Sequence, residues 1–205
     1  MNIKRFFFAA TLTIGLSFVA NAQSYHLHGS DFWSRVSLEV GYGLNTPISP
    51  EPSFGKASDY GNFMSLHAGA RYQLDDFWSL RGTYEMNKFE HKDNSDLGLT
   101  FHKLALEAVY NISAATGYVS DFKVDAHAGL GLGMMTSNTL SDTKVGSVQL
   151  GIMPTYILTN NWSVFLDATY MLNLRQSYGF DGLPVGSSGN TAGIVTTRIG
   201  VMYSF

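Results

Sequence analysis

The sequence predicts an all-β fold, an eight-stranded antiparallel up-and-down transmembrane β-barrel, and three observations predict it. Eight segments alternate apolar and polar residues with a period of two. Every charge in those segments falls on one of their two faces. The connections alternate between short and longer, and all three Trp stand at the short-turn end.

The chain opens with an address. Lys4 and Arg5 precede an apolar run over residues 6–20, and Ala20-Asn21-Ala22 reads as a cleavage site. Residues 1–22 are therefore expected to be a signal peptide and 23–33 a periplasmic lead-in, with the barrel over 34–205. The apolar run falls short of the roughly 20 residues that a spanning helix needs. Loss of Lys4 and Arg5 reduces the 13 basic residues to 11, against 16 acidic ones. No basic footprint for nucleic acid remains. The sequence has no Cys, which excludes disulfides, thiolate metal sites, a Cys nucleophile and a lipidated N-terminal Cys.

The segments follow in order. The first sets Val36, Leu38, Val40 and Tyr42 against Arg35, Ser37, Glu39 and Gly41; the second sets Met64, Leu66, Ala68, Ala70 and Tyr72 against Ser65, His67, Gly69 and Arg71. The third pairs Trp78, Leu80, Tyr84 and Met86 with Ser79, Arg81, Thr83 and Glu85, and the fourth Leu104, Leu106, Ala108 and Tyr110 with Lys103, Ala105 and Glu107. In the fifth, Phe122 to Leu132 on even numbers oppose Lys123, Asp125, His127, Gly129 and Gly131. The sixth has Val148, Leu150, Ile152 and Tyr156 against Gln149, Gly151 and Thr155. The seventh has Trp162, Val164, Leu166, Ala168 and Tyr170 against Ser163, Asp167 and Thr169, and the last has Ile199, Val201, Tyr203 and Phe205 against Arg198, Gly200 and Ser204.

The polar face carries Arg35, Glu39, Arg71, Arg81, Glu85, Lys103, Glu107, Lys123, Asp125, Asp167 and Arg198, six basic and five acidic residues. A soluble barrel would turn these outward; in lipid the apolar face points out and the charges line the lumen. Loop lengths and aromatics decide for lipid. Long connections are expected over 45–62, 87–99 and 174–190, moderate ones over 113–120 and 135–144, and short ones over 75–77 and 159–161. Trp33, Tyr72, Trp78, Tyr110, Phe122, Tyr156 and Trp162 gather at the short-turn end, as an interfacial aromatic girdle does. An open edge in hydrocarbon would strand backbone polar groups, so the eighth strand must pair with the first. Pro154 on the lipid face cannot donate to a ladder, and a bulge or a displaced strand end is expected there.

These features resemble the small outer-membrane barrel family that includes the OmpA transmembrane domain and OmpX. The last residues resemble its assembly signal, a polar Arg198, then Gly200, Tyr203 and the terminal aromatic Phe205. The resemblance implies recognition by the barrel-assembly machinery and periplasmic chaperones, and an outer membrane of Gram-negative type with both termini periplasmic. Larger family members continue into a peptidoglycan-binding domain; with Phe205 as the last residue, that activity is not expected here.

Eight strands enclose a space that side chains can fill, so the charges are expected to pair rather than line a pore. Gly41, Gly69, Gly129, Gly131, Gly151 and Gly200 make room for long side chains. Ser65, His67 and Glu85 share the inward face of adjacent strands, an arrangement that could activate a Ser, but any polar interior contains such trios and a lumenal Ser would not meet a leaflet lipid. His26 and His28 lack a third ligand, and His91 and His102 stand apart, so neither metal nor cofactor is expected. The expected function is a non-enzymatic structural anchor of the envelope that displays extracellular loops, as a monomer among outer-membrane lipid and lipopolysaccharide. A low-conductance or gated porin is the alternative, and a lipid A-modifying enzyme the third.

Overall fold

The structure, a computed structural model, describes residues 32–117, 120–185 and 190–205. The expected signal peptide and His26 and His28 lie outside the described residues. Met1–Arg35 and Val36–Phe205 are separate units. In the first, Phe32 and Trp33 meet edge to face at 5.3 Å, and Arg35 N–H donates to the Phe32 carbonyl at 3.1 Å.

The second unit is a closed barrel. Its strands are β1 (Val36–Ser49), β2 (Asn62–Gln73), β3 (Trp78–His91), β4 (Asn94–Asn111), β5 (Phe122–Ser137), β6 (Thr143–Ile157), β7 (Trp162–Gln176) and β8 (Asn190–Ser204). Each pairs antiparallel with its neighbour in sequence, and β8 closes onto β1. Directly opposed residues run round the wall from Val36 through Tyr72, Leu80, Ala108, Ala128, Leu150, Tyr170 and Val195 to Thr46. One circuit therefore climbs ten residues of β1, from 36 to 46. Ten residues of stagger over eight strands correspond to a tilt of about 40°. Each residue then rises roughly 2.5 Å along the barrel axis, so about ten residues cross the ~25 Å apolar band of such a barrel.

The strands are longer than that, from 12 residues in β2 to 18 in β4, and the surplus explains a departure from the sequence reading. The expected long connection over 87–99 is mostly strand: β3 runs to His91 and β4 starts at Asn94. Within the lower wall the apolar face is outside, with Leu130, Leu132 and Ile199 each about two-thirds exposed or more (68%, 74% and 69%). Above it the polarity reverses. Lys88 and Glu90 face outward and pair at 2.7 Å, while Phe89, Leu99 and Phe101 point inward and are fully buried. The backbone alternation is continuous, but the solvent outside has changed from lipid to water.

Short turns are fixed locally. Asp75 Oδ1 accepts from the Phe77 and Trp78 N–H groups, both at 2.8 Å, and Thr159 Oγ1 accepts from Trp162 N–H at 3.1 Å. After β4 a single helical turn, Ile112–Ala115, is capped by Asn111 Oδ1 on Ala114 N–H at 2.9 Å. Pro154 causes no bulge. Its register with Val124 of β5 matches the rest of that ladder, and only the pairings of Met153 and Pro154 toward β7 drop out. The missing donor is thus confined to one side of one strand.

Gly200 marks a close approach in the wall. A Cβ there would lie 2.3 Å from both the Val40 carbonyl oxygen and the Phe165 ring. Gly200→Ala should cost about 1–3 kcal/mol through overpacking. The check is the temperature at which the folded band on a denaturing gel converts to the unfolded one, which should fall clearly below wild type.

Candidate functional site: the filled lumen

Alternation along each strand sends every second side chain into the barrel, and the stagger stacks them in tiers. Toward the short turns Met153, Phe165 and Met202 pack together and are buried. Alongside them, with Met202 opposite Glu39 and Met153 opposite Asp125, lies a group centred on Arg81. Its Nη1 donates to Glu39 Oε1 at 3.1 Å and Asp167 Oδ2 at 3.4 Å, and its Nη2 to Glu107 Oε2 at 2.8 Å. Arg71 joins Asp125 at 2.6 Å to Glu39 at 3.4 Å. The imidazoles supply further contacts, His67 Nε2 to Glu39 Oε1 at 3.0 Å, His127 Nδ1 to Glu107 at 2.6 Å and Nε2 to Asp167 at 3.3 Å. Thr83 and Thr169 donate to Glu107 and Asp167 at 3.2 and 2.5 Å.

A second group stands above the first. Glu85 receives Arg198 Nη2 at 2.5 Å and Lys103 Nζ at 2.9 Å, and Lys103 also donates to Gln149. Arg198 Nε donates to Ser65 Oγ at 2.7 Å, whose hydroxyl donates onward to Asn87 Oδ1 at 2.6 Å. These bonds dispose of the nucleophile trio. Ser65 is committed to Arg198 and Asn87, His67 to Glu39, and Glu85 to two cations, so the three are not a Ser–base relay.

The top tier is again apolar. Tyr60, from a 3-10 turn at Ala57–Tyr60, and Phe180, from the β7–β8 loop, pack onto Phe89, Leu99, Met171 and Ile194, all fully buried. Asp181 ties this cap down. Its Oδ2 accepts from Ser53 and Phe54 N–H at 2.7 and 3.2 Å, its Oδ1 from Leu183 N–H at 3.0 Å, and its carbonyl from Gly98 N–H at 3.1 Å. The carboxylate thus ties the two loops together, and the Asp181 main chain fastens them to the rim of β4. The Tyr60 hydroxyl donates to the Phe54 carbonyl at 2.7 Å. Burial, with Asp181 and Asp59 nearby, pushes its pKa up to about 12.

Nine of the eleven charges named from sequence are brought together here. Arg35 and Lys123 are the exceptions. Arg35 precedes β1 in the N-terminal unit and is exposed, and Lys123, the second residue of β5, is exposed at the barrel end where water solvates it. The alternation also marked His67, His127 and Gln149 as inward, but not as partners of the charges. The apolar tiers escaped the reading although Phe165, Met153 and Phe89 share the inward phase of their strands. Several inward glycines serve the space expected of them: a Cβ at Gly69 would sit 2.8 Å from Glu39, and one at Gly151 2.4 Å from His127.

On the outside, Trp78 packs on Tyr110 at 4.8 Å and Phe122 faces Tyr156 across strands, with Tyr72 opposite Val36. Trp162 packs on Tyr203 at 4.9 Å, and Tyr203 on Phe205 at 5.1 Å. Trp33 belongs to the preceding unit, not to a barrel strand. Among the described residues no three His, Asp or Glu side chains are grouped to hold a metal ion. His91 packs against Phe54 and Tyr60, and His102 Nδ1 lies 2.8 Å from the Tyr84 hydroxyl.

Two outcomes follow for this interior. Arg81→Ala leaves Glu39, Glu107 and Asp167 without their shared cation, and should destabilise the barrel by about 3–5 kcal/mol, read as a lower denaturant midpoint. Tyr60 must stay neutral to keep its place, so its contribution is whole below pH 10 and lost as pH rises through about 12. The tyrosinate absorbance of wild type minus Tyr60→Phe should titrate near 12, not near the ordinary value of 10.

No protein-family model matches the sequence, and no curated protein matches it. Among solved structures the chain is similar to Neisserial surface protein A, at 19% identity over 83% of this chain and 96% of that one, with a TM-score of 0.48. It is also similar to the N-terminal β-barrel domain of Pseudomonas aeruginosa OprF, at 14% identity over 82% and 97%, TM-score 0.48. Ail, the attachment invasion locus protein of Yersinia pestis, follows at 15% over 83% and 97%, TM-score 0.46. At these identities the likeness concerns the fold alone, and the closed eight-stranded barrel stands on the strand pairing itself.

Proposed function

We propose that the chain is an integral outer-membrane barrel that anchors in the envelope as a structural element, displays its extracellular loops, and carries out neither transport nor catalysis. The observation that carries this reading is the interior: two ionic groups fill the lumen beneath an apolar cap, with Met153, Phe165 and Met202 packed beside the lower one. Nine buried or nearly buried charges, four basic and five acidic, are held by each other and by neighbouring imidazole, amide and hydroxyl groups. Ions would have to break those pairs, at several kcal/mol each, to pass.

The apolar outer wall and the basal aromatics support residence in lipid. An even strand number puts both ends of the barrel on the short-turn side, which this reading makes periplasmic. Outer-membrane lipid and lipopolysaccharide would surround the monomer. Barrel-assembly machinery and periplasmic chaperones would deliver it, with β8 and Phe205 as the segment recognised.

Two measurements test the reading. Outer-membrane fractions run unboiled and boiled should show the protein at two mobilities, and a soluble, unshifted periplasmic protein would end the membrane assignment. In planar bilayers the purified protein should give no stepwise conductance. Reproducible steps, lost in an inactive control preparation, would replace the anchor with a narrow pore. Lipid A mass profiles should be the same with and without the protein.

A further inference from the structure

One departure from alternation stands out on the outer wall. Along β7 the exposed positions should be even-numbered, and Leu174 obeys, yet Arg175 is exposed as well before Gln176 turns back inside. The ladder to β8 shifts register between Asn173 and Gln176, and Arg175 has φ 58°, in the left-handed region that non-glycine residues avoid. A bulge of this kind re-aims a side chain. Without it, Arg175 would point into the apolar cap; with it, the guanidinium faces outward.

Outward from the facing strand comes Lys144, exposed on β6. Gly146 opposes Leu174, and the Thr143 and Ser177 hydroxyls meet at 3.4 Å, so Lys144 and Arg175 lie within about one residue of register on paired strands. Residues so placed have Cβ atoms roughly 5–8 Å apart, a span one phosphate can bridge. Among the described residues neither cation makes an ion pair, even though Asp142 is close in sequence. The contrast is with Lys88, paired to Glu90 at 2.7 Å, and Lys92, at 4.0 Å from Asp59.

Height identifies the partner. Arg175 stands thirteen residues above Trp162 on β7, and Lys144 twelve above Tyr156 on β6. At roughly 2.5 Å per residue both lie about 30 Å above the basal aromatics, just beyond a ~25 Å apolar band, where lipid headgroups begin. We propose that Lys144 and Arg175 seat a phosphate of an outer-leaflet glycolipid headgroup on the wall between β6 and β7. The strained Arg supplies a bidentate fork to the phosphate oxygens and Lys144 a second point charge. This rests on the outer-membrane placement proposed above.

The test uses the full chain in neutral detergent and native mass spectrometry of retained lipid. Probes are bisphosphorylated lipid A, the same lipid without phosphates, and inorganic phosphate. Variants are Arg175→Gly, which suits φ 58° and should fold at least as well, Lys144→Gln, the double variant, and Lys123→Gln at the opposite end as control. Wild type and Lys123→Gln should retain the phosphorylated lipid about tenfold better than the double variant, the scale of one charge-assisted pair. The dephosphorylated lipid should show no such difference. Equal retention by wild type and double variant overturns the proposal, as does retention indifferent to the phosphates, or capture of inorganic phosphate without lipid. Heat-modifiability of each variant is read in parallel. Its absence in wild type would sink the membrane placement, whereas an intact shift with no lipid discrimination would sink only the phosphate seat.

Discussion

Closure of the backbone ladder is the constraint from which the rest of the structure follows. In hydrocarbon no water can satisfy an exposed N–H or C=O, so β8 must return to β1, and it does so over twelve opposed positions. Eight strands staggered by ten residues then fix the width of the barrel. At that width inward side chains reach one another across the lumen. The lumen must be packed with side chains, and because alternation sends the non-lipid face inward, many of those side chains are polar. Arg81 among Glu39, Glu107 and Asp167 is therefore less a chosen interaction than the solution left to a charge with no water. Such pairs contribute little net stability against an apolar filling, but losing one partner is costly. They also hold strand register, since a one-residue slip would turn the charges into lipid.

The same ladder passes through two solvents. Below, the wall is apolar outside and polar inside; above, Phe89, Leu99 and Phe101 take the interior while Lys88 and Glu90 take the exterior. The upper third is in effect a soluble barrel built on a membrane barrel, with a water-type hydrophobic core that can bury Tyr60 and Phe180 from the loops. Loop ordering is thus driven by ordinary apolar burial, which the charged tiers below could not provide. Asp181 adds direction, because its two oxygens choose which backbone N–H groups the cap is fastened to.

Much of this was legible in the sequence, and what was not has a physical cause. Phase puts Arg81, Glu107 and Arg198 on one face, and loop lengths with the basal aromatics turn that face into the lumen. Strand ends were harder. Reading outward-apolar alternation stops at Met86, where the exterior becomes aqueous, so the next turns of β3 and β4 looked like loop. Arg35 and Lys123 carry the correct phase but sit at strand ends, where phase no longer decides burial. Asp181 gave no signal at all: a single Asp in a Gly-rich stretch resembles any turn residue until the loop it clasps, residues 53–54, is brought beside it. Pro154 was legible as a problem but not as its solution, a gap on one ladder with the register kept.

Gly200 shows how one residue can satisfy two readings. In sequence it belongs to a C-terminal pattern with Arg198, Tyr203 and Phe205 that resembles an assembly signal. In the fold each member has a local duty. Arg198 pairs with Glu85, Gly200 admits the Phe165 ring, and Tyr203 bridges Trp162 and Phe205. A closing strand has to fit the seam between β1 and β7, with a long cation for the upper lumen, no Cβ where the Val40 carbonyl and the Phe165 ring press close, and aromatics at the lower interface. Any machinery that recognises such a strand is reading features that closure already demands.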